Sequence, residues 1–349
     1  MTVVSGTPYI TTVIPTYRRP ALLRRAIESA LSQTYPHLRV LVSDNASGDE
    51  TAEVVEELSQ RDPRIVYHVQ PENRGAAANF QFVMDAVETE YFSFLSDDDF
   101  LLPDFYKTAM ESIAQHPEAK FFCGQCVVYN EKTGRHRLHP GRYWSEGLHE
   151  ARASTRLMLE HYFLWTSCVF HSEMRQAIGA FEPIPIGDIL FLGKAAALFP
   201  FVVSPRACAV FVEGGGNVVD RLPIEAILHT YEVMHDRCAG IPGLSADERT
   251  EISNGLDRSA RLTVNGVMRS SLAKQDWPRF DAAVEFLRER DALDFRKRLR
   301  VALAAHREPP SLSLRLMLRV LDLHRRYHEM RRSGFKKMTP KEIARLYGN

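Results

Sequence analysis

No stretch of this chain approaches the roughly 20 consecutive apolar residues that a bilayer crossing requires, which leaves no candidate for a membrane-spanning helix. The opening segment MTVVSGTPYITTVIPTY lacks a basic start and a long apolar centre, so no export signal is expected. Cysteine is scarce. The five residues Cys123, Cys126, Cys168, Cys208 and Cys238 are odd in number and scattered, which fits reduced thiols in a cytoplasmic protein better than a disulfide framework. Net charge is missing too: 44 Lys and Arg balance 44 Asp and Glu, so nothing overall points to a nucleic-acid partner. Internal repeats and low-complexity segments are absent.

What is present is an ordinary globular composition, 45% hydrophobic and 25% charged over 349 residues, enough for two or three packed units. The charge is unevenly placed. Residues 286–349 hold 17 Lys and Arg against 7 Asp and Glu, a basic tail on an acidic body. Within it Leu314, Met317, Leu318, Leu321 and Leu323 alternate with Arg315, Arg319, Arg325, Arg326, Arg331 and Arg332. Such a basic amphipathic stretch packs on the body of the protein or on a second copy, or rests on anionic lipid at the inner face of a membrane.

The first hundred residues alternate strand and helix patterns. Ile10 to Ile14 reads as a buried strand, and Leu38 to Ser43, Ile65 to Val69 and Tyr91 to Leu95 read as three further strands. Between them lie helices after Pro20, after the candidate caps Ser47 and Asp49, and from Ala76 to Val87. This alternation predicts a parallel sheet with helices on both faces. Lys120 to Tyr129 and Phe201 to Phe211 add strands, the polar Glu131 to Gly147 stretch reads as a hairpin or mobile loop, and Ile189 to Leu198 reads as helix. Beyond about Asp220 nearly everything reads as helix, including Ala282 to Ala305.

In a parallel α/β sheet ligands bind beyond the carboxyl ends of the strands. Three polar clusters fall there: Pro15-Thr16-Tyr17-Arg18-Arg19, Asp44-Asn45-Ala46-Ser47, and Ser96-Asp97-Asp98-Asp99. Three successive carboxylates after a buried strand call for positive charge among them. Mg²⁺ or Mn²⁺, which bridge one or two carboxylates to substrate phosphates, would supply it and imply a diphosphate substrate.

The run TVIPTYRRPALLRRAIESALSQTYPHLRVLVSDNASGDET, followed by ENRGAAAN and FLSDDD, resembles the nucleotide-sugar half of the family 2 glycosyltransferases with the type A fold. The likeness covers about residues 10–112 and continues more weakly to about 215. It implies a Rossmann-like α/β nucleotide-diphospho-sugar transferase fold with a C-terminal helical extension. The expected parts are a nucleotide-sugar-binding half at 1–112, an acceptor-binding half at 113–220 and a helical, basic region at 221–349. The activity implied is metal-dependent, inverting transfer from a UDP or dTDP sugar to a hydroxyl of a polysaccharide, lipid-linked or small-molecule acceptor.

Carried over, the family pattern has Pro15, Thr16, Tyr17 and Arg19 frame the base and ribose, while Asp44 accepts a hydrogen bond from the base. Asn73, Arg74, Gly75 and Asn79 lie beside the nucleotide, although Ala78 stands where relatives carry Arg. After Ser96, Asp97 approaches the ribose or metal-bound water and Asp99 holds the cation. Asp98 points away if the backbone stays strand-like, and takes a lesser role. Asp188 is the candidate base, although Gly187 replaces the acidic residue that precedes it in relatives. Glu213 would substitute for the family's metal-binding His, with Gly214-Gly215-Gly216 closing over the phosphates. The missing His and the glycine at 187 keep open an alternative: a non-catalytic nucleotide-sugar-binding scaffold or sensor. Cys123 and Cys126 sit in an apolar strand and read as core, and Trp165, Thr166 and Ser167 read as either buried residues or contacts to the sugar or acceptor.

Overall fold

A computed structural model describes residues 7–140, 143–213, 222–294, 297, 298 and 301. These fall into two compact units, one reaching to 213 and one starting at 222. The first opens with β1 (Ile10–Thr16), α1 (Pro20–Leu31), β2 (Leu38–Asp44), α2 (Thr51–Arg61), β3 (Ile65–Val69), α3 (Ala76–Asp85) and β4 (Tyr91–Phe94). It continues with β5 (Phe100–Leu101), α4 (Phe105–Gln115), β6 (Phe121–Asn130), β7 (Arg135–His139), β8 (Gly147–His149) and α5 (Thr155–Glu160). A short helical turn at Trp165–Ser167 leads into β9 (Cys168–His171), α6 (Met174–Ile178), α7 (Gly187–Leu198) and β10 (Phe201–Glu213).

The described strands form one sheet in the order β3-β2-β1-β4-β9-β6-β10-β5, with β7 beside β6 and β8 beside β10. The first four strands are parallel, as their alternation with helices requires. Beyond them the sheet is mixed: β9 runs antiparallel to β4 and β6, and β5, β7 and β8 also pair antiparallel. Each of β1, β2 and β3 is followed by a crossover helix. Later strands, such as β7 after β6, return through connections too short to restore direction.

Alternation along β1 sorts its side chains between two cores. Ile10 and Ile14 pack with Leu23 and Ile27 of α1 and Phe105 and Tyr106 of α4. Val13, on the other face, packs with Val83 of α3, Phe92, Phe94, Phe170 and Phe191. The buried Tyr106 hydroxyl meets the Thr12 and Ser93 hydroxyls, each at 2.5 Å, tying α4 to the two central strands. Strand ends held this firmly deliver the loops beyond them to fixed places.

Of the two expected caps of α2, Asp49 accepts from the Thr51 N–H and hydroxyl, whereas the Ser47 hydroxyl is turned to the loop after β1. The second unit contains α8 (Ile224–Ala239), α9 (Ala246–Lys274) and α10 (Trp277–Glu289), with α9 packed against both others. A Ser245–Glu248 capping box starts α9, and the Tyr231 hydroxyl joins Ser259 and Thr263 between α8 and α9. No described helix is long and apolar enough to cross a membrane. The basic amphipathic stretch at 314–332 and the glycine loop at 214–216 lie outside the described residues.

Candidate functional site

Parallel pairing sets Thr16 beside Asp44 at the carboxyl ends of β1 and β2, while β4 ends on the other side of β1. The loop after β1 turns sharply at Arg18, whose φ of +55° is left-handed. Its backbone N–H donates to the Ser47 hydroxyl at 2.8 Å, and its Nε to the Ser47 carbonyl at 3.0 Å. Two of the sequence-predicted clusters are thereby joined. Pro15 is buried in β1, whereas Tyr17 is exposed with the Arg18 guanidinium over its ring.

Asp44 is 3% exposed and its carboxylate is oriented from two sides: Ser47 N–H donates to Oδ1 and the Tyr67 hydroxyl to Oδ2, both at 2.9 Å. Burial and the adjoining Asp44 charge push the Tyr67 phenol well above its ordinary value, so it remains a donor. The next loop is attached through Asn45, which donates to Asn73 Oδ1 at 2.9 Å and accepts from the Arg74 N–H at 3.0 Å. The same Asn73 oxygen accepts from the Gly75 N–H, and Gly75, at φ +81°, turns the chain into α3. Asn79 points inward, bonded to the Ser43 hydroxyl at 2.6 Å and the Ser43 carbonyl at 2.9 Å. It therefore braces α3 against β2.

The acidic cluster is a tight turn closed by Asp99 N–H donating to the Ser96 carbonyl at 3.0 Å. Asp97 is buried and accepts from the Thr16 hydroxyl at 2.7 Å and from Arg19 at 3.1 Å. Burial raises its carboxyl, against the pull of Thr16 and Arg19. Asp98 is the outward member, with a side chain 38% exposed, and it shares the same Arg19 nitrogen at 3.0 Å. Arg25 holds the Asp98 carbonyl from α1. Asp99 is fully buried, and its two oxygens accept from the Thr166 hydroxyl at 2.9 Å and the Val212 N–H at 3.0 Å. Burial, aided by Asp98, pushes its carboxyl up to about 8. This arrangement reverses the expected orientations of Asp98 and Asp99, because side chains alternate faces only along a strand and these residues form a turn.

Glu213, at the end of β10, is paired with Arg137 at 3.3 Å. Among the described residues, no group of three or more His, Cys, Asp and Glu is placed to hold a metal ion. The oxygen set at the turn fits a cation that takes one or two protein carboxylates and completes its shell from a diphosphate.

Asp188 enters in the first turn of α7, where the Ile189 N–H and its own N–H bond its carboxylate. Burial outweighs these bonds and pushes its carboxyl up to about 6. The preceding Ile186 has φ +55°, an uncommon conformation for a β-branched residue. A Cβ on Gly187 would lie 3.0 Å from the Glu182 carbonyl oxygen and 3.4 Å from the Phe181 ring, so an acidic side chain there would need the segment to shift. Phe181 also packs on Trp165, which packs on Phe80 of α3 at 4.6 Å between centroids. The aromatic cluster thus connects the Asp188 segment to the nucleotide-loop helix and, through Thr166, to the acidic turn.

Sequence reasoning did not assign roles to Tyr67 and Arg25, and it left Thr166 among possible sugar contacts. Tyr67 carried a usable signal, a hydroxyl inside the third predicted strand, which the structure pairs with β2. Cys123 and Cys126 are buried free thiols, with the Cys123 sulfur 3.6 Å from that of Cys168.

The profile of "Glycosyl transferase family 2" matches residues 11–179. A 125-residue segment is 35% identical to the GalNAc(5)-diNAcBac-PP-undecaprenol beta-1,3-glucosyltransferase of Campylobacter jejuni, covering 36% of this chain and 40% of that protein. Glycosyltransferase GlyA of Streptococcus pneumoniae is 28% identical over 130 residues, 37% of this chain and 18% of its own length. The matches therefore span less than half of these curated relatives. Among solved structures, S. aureus TarS 1–349 in complex with UDP-GlcNAc superposes with a TM-score of 0.63 at 17% identity, covering 80% of each chain. The mannosyltransferase PcManGT of Pyrobaculum calidifontis, in complex with GDP-Man and Mn²⁺, gives 0.52 at 18% identity, covering 87% of this chain and 86% of that one. Together with the strand order, the profile match over residues 11–179 and these likenesses support a family 2 glycosyltransferase fold, the type A fold, for this part of the chain.

Proposed function

We propose that this protein is an inverting glycosyltransferase that moves a sugar from a UDP or dTDP sugar to an acceptor hydroxyl, with a divalent cation at the acidic turn. The observation that carries the proposal is the fastening of four rim loops into one polar site, through Thr16 to Asp97, Arg19 to Asp97 and Asp98, Arg18 to Ser47, and Asn45 to Asn73. The UDP-GlcNAc and GDP-Man complexes of the structural relatives support a nucleotide-sugar donor at such a rim.

The geometry supports the following roles. The oriented Asp44 carboxylate accepts from the N3–H that uracil and thymine share, which favours these bases. Tyr17 and Arg19 border the base and ribose, and Asn73, Arg74 and Gly75 lie beside the nucleotide. Asp98 replaces Asp99 as the protein's cation ligand, because its carboxylate is exposed whereas that of Asp99 is enclosed by protein donors. Mn²⁺ or Mg²⁺ there would neutralise charge on the departing diphosphate. Asp188 takes the proton from the acceptor hydroxyl as its oxygen bonds the anomeric carbon. The bond from that carbon to the diphosphate breaks in the same displacement, which inverts configuration. A carboxyl near 6 is ionised at neutral pH yet basic enough for this step. That poise favours an enzyme over a scaffold.

The test is incubation of the full chain with a panel of UDP, dTDP and GDP sugars, with Mn²⁺ and with EDTA, while following release of nucleoside diphosphate. Release from a UDP or dTDP sugar that EDTA stops and Mn²⁺ restores is expected. No release from any donor, alongside measurable donor binding, would instead establish the scaffold reading. An acceptor carrying a polymer, lipid-linked or small glycan hydroxyl then raises the rate with the true donor.

A further inference from the structure

Asp99 lies next to the proposed cation ligand yet offers no free oxygen, and its partners are unusually far apart in sequence. Thr166 belongs to the short helical turn ahead of β9, and Val212 lies near the end of β10. The helical turn is itself anchored: the Ser167 hydroxyl donates to the Gly124 carbonyl of β6 at 2.9 Å, and Cys168 is the register partner of Cys123. Thr166 is 0% exposed and so is held on a rigid element. From the opposite side Arg25 fixes the Asp98 carbonyl. The carboxylate of Asp98, which accepts from Arg19 on its outer side, is therefore also aimed through its backbone by contacts made beneath and behind it.

We propose that Asp99 and Thr166 are positioning residues that set the direction in which Asp98 presents its carboxylate to a divalent cation bound with a nucleoside diphosphate. The proposal rests on the assignment of Asp98 as the ligand, and it adds a part built from the second half of the catalytic unit. Groups that orient a metal-binding side chain typically contribute about 10- to 100-fold to metal affinity. Because the nucleobase contacts around Asp44 do not involve Thr166, loss of its hydroxyl acts on the cation-dependent share of nucleotide binding alone.

The experiment is calorimetric titration of the full chain with UDP in the absence and presence of Mn²⁺, with thermal unfolding recorded for each variant. Thr166→Val is expected to bind UDP without Mn²⁺ as the unaltered protein does and to lose about tenfold or more of the gain that Mn²⁺ brings. Thr166→Ser, which keeps the hydroxyl, restores that gain. Asp99→Asn, whose amide can serve both partners, keeps most of it, and this variant decides the matter should Thr166→Val fail to fold. The positioning role is overturned if Thr166→Val keeps the full Mn²⁺ gain, if it weakens UDP equally with and without Mn²⁺, or if Asp99→Asn removes the gain. Asp98→Asn addresses the underlying assignment separately: retention of the Mn²⁺ gain by that variant removes Asp98 as the ligand, whatever Thr166 does.

Discussion

Replacing Asp188 with Asn tests catalysis and folding with one side chain, because the burial that tunes a base also costs stability. The carboxyl rises in the folded chain from 3.8 to about 6. Every tenfold gain in proton affinity is worth about 1.4 kcal/mol, so the ionised carboxylate disfavours the native state by about 3 kcal/mol once pH is well above both values. The sign is that of a raised group. Its contribution is fully present below the unfolded value and is lost as pH rises through the folded one. Asn carries no charge at any pH, so the variant gains on the parent as pH rises. Between about pH 5 and about pH 8 the two-state relation gives a relative gain of about 1.4 kcal/mol for Asp188→Asn, most of it below about pH 6.5. Urea unfolding of both proteins at several pH values measures it. Transfer should follow the opposite course. In the parent, turnover rises with pH through about 6 and then levels, and Asp188→Asn loses roughly 10²- to 10⁴-fold with nucleotide binding intact. Normal turnover by the variant, or a stability difference that does not change with pH, refutes the assignment of Asp188 as a half-buried base.

Other changes probe the rim and its support. Tyr67→Phe removes the donor at Asp44 Oδ2, so UDP affinity should fall several-fold while the unfolding free energy drops by only about 1 kcal/mol; unchanged affinity would separate Asp44 from base recognition. Gly187→Asp restores an acidic residue beside Asp188 but pushes a Cβ against the Glu182 carbonyl and the Phe181 ring, so it should lower the melting temperature and turnover together. Higher turnover by that variant would show that the glycine is a lost catalytic group. In Gly124→Ala the new methyl would sit 2.3 Å from the Cys208 sulfur, and the strain should cost about 1–3 kcal/mol by chemical denaturation.

The parts of this fold that were legible in the sequence are those where one local pattern has one physical meaning. The apolar, β-branched run of β1 can hardly be anything but a buried strand, and the helix after Pro20 repeats its apolar residues along one face. A polar cluster at the end of such a strand must lie at the rim, so the gathering of Thr16, Asp44 and the acidic turn followed from topology. Orientation within the turn did not. The strand period was carried beyond Phe94, where β4 ends, into Asp97–Asp99, and a turn of the kind that closes Asp99 onto Ser96 exchanges inward for outward. Nor could sequence reveal partners at long range: Thr166 reaches Asp99 across 67 positions and Val212 across 113. Contacts of that kind depend on which strands neighbour one another, and the antiparallel insertion of β9 between β4 and β6 had no signature in the chain.

Backbone conformation gives an independent reason to treat the rim as functional. Arg18, Ala46 and Ile186 all adopt left-handed φ values, at +55°, +59° and +55°. For a residue with a Cβ this costs about 1–2 kcal/mol, and glycine at the same position would avoid most of it. Each of the three lies within two positions of a proposed site group: Arg18 beside Arg19, Ala46 two residues after Asp44, and Ile186 two before Asp188. Glycine would also broaden the conformations open to the loop and weaken the aim of the neighbouring carboxylate or guanidinium. Strain persists where the surroundings over-determine it, and here they do so through the Arg18 bonds to Ser47 and the Ser47 bond to Asp44. The same conformation occurs away from the site at Arg152, Gln275 and Asp291, so what sets the rim apart is that Arg18 is bonded across to a second loop beside charges that must be aimed at one diphosphate.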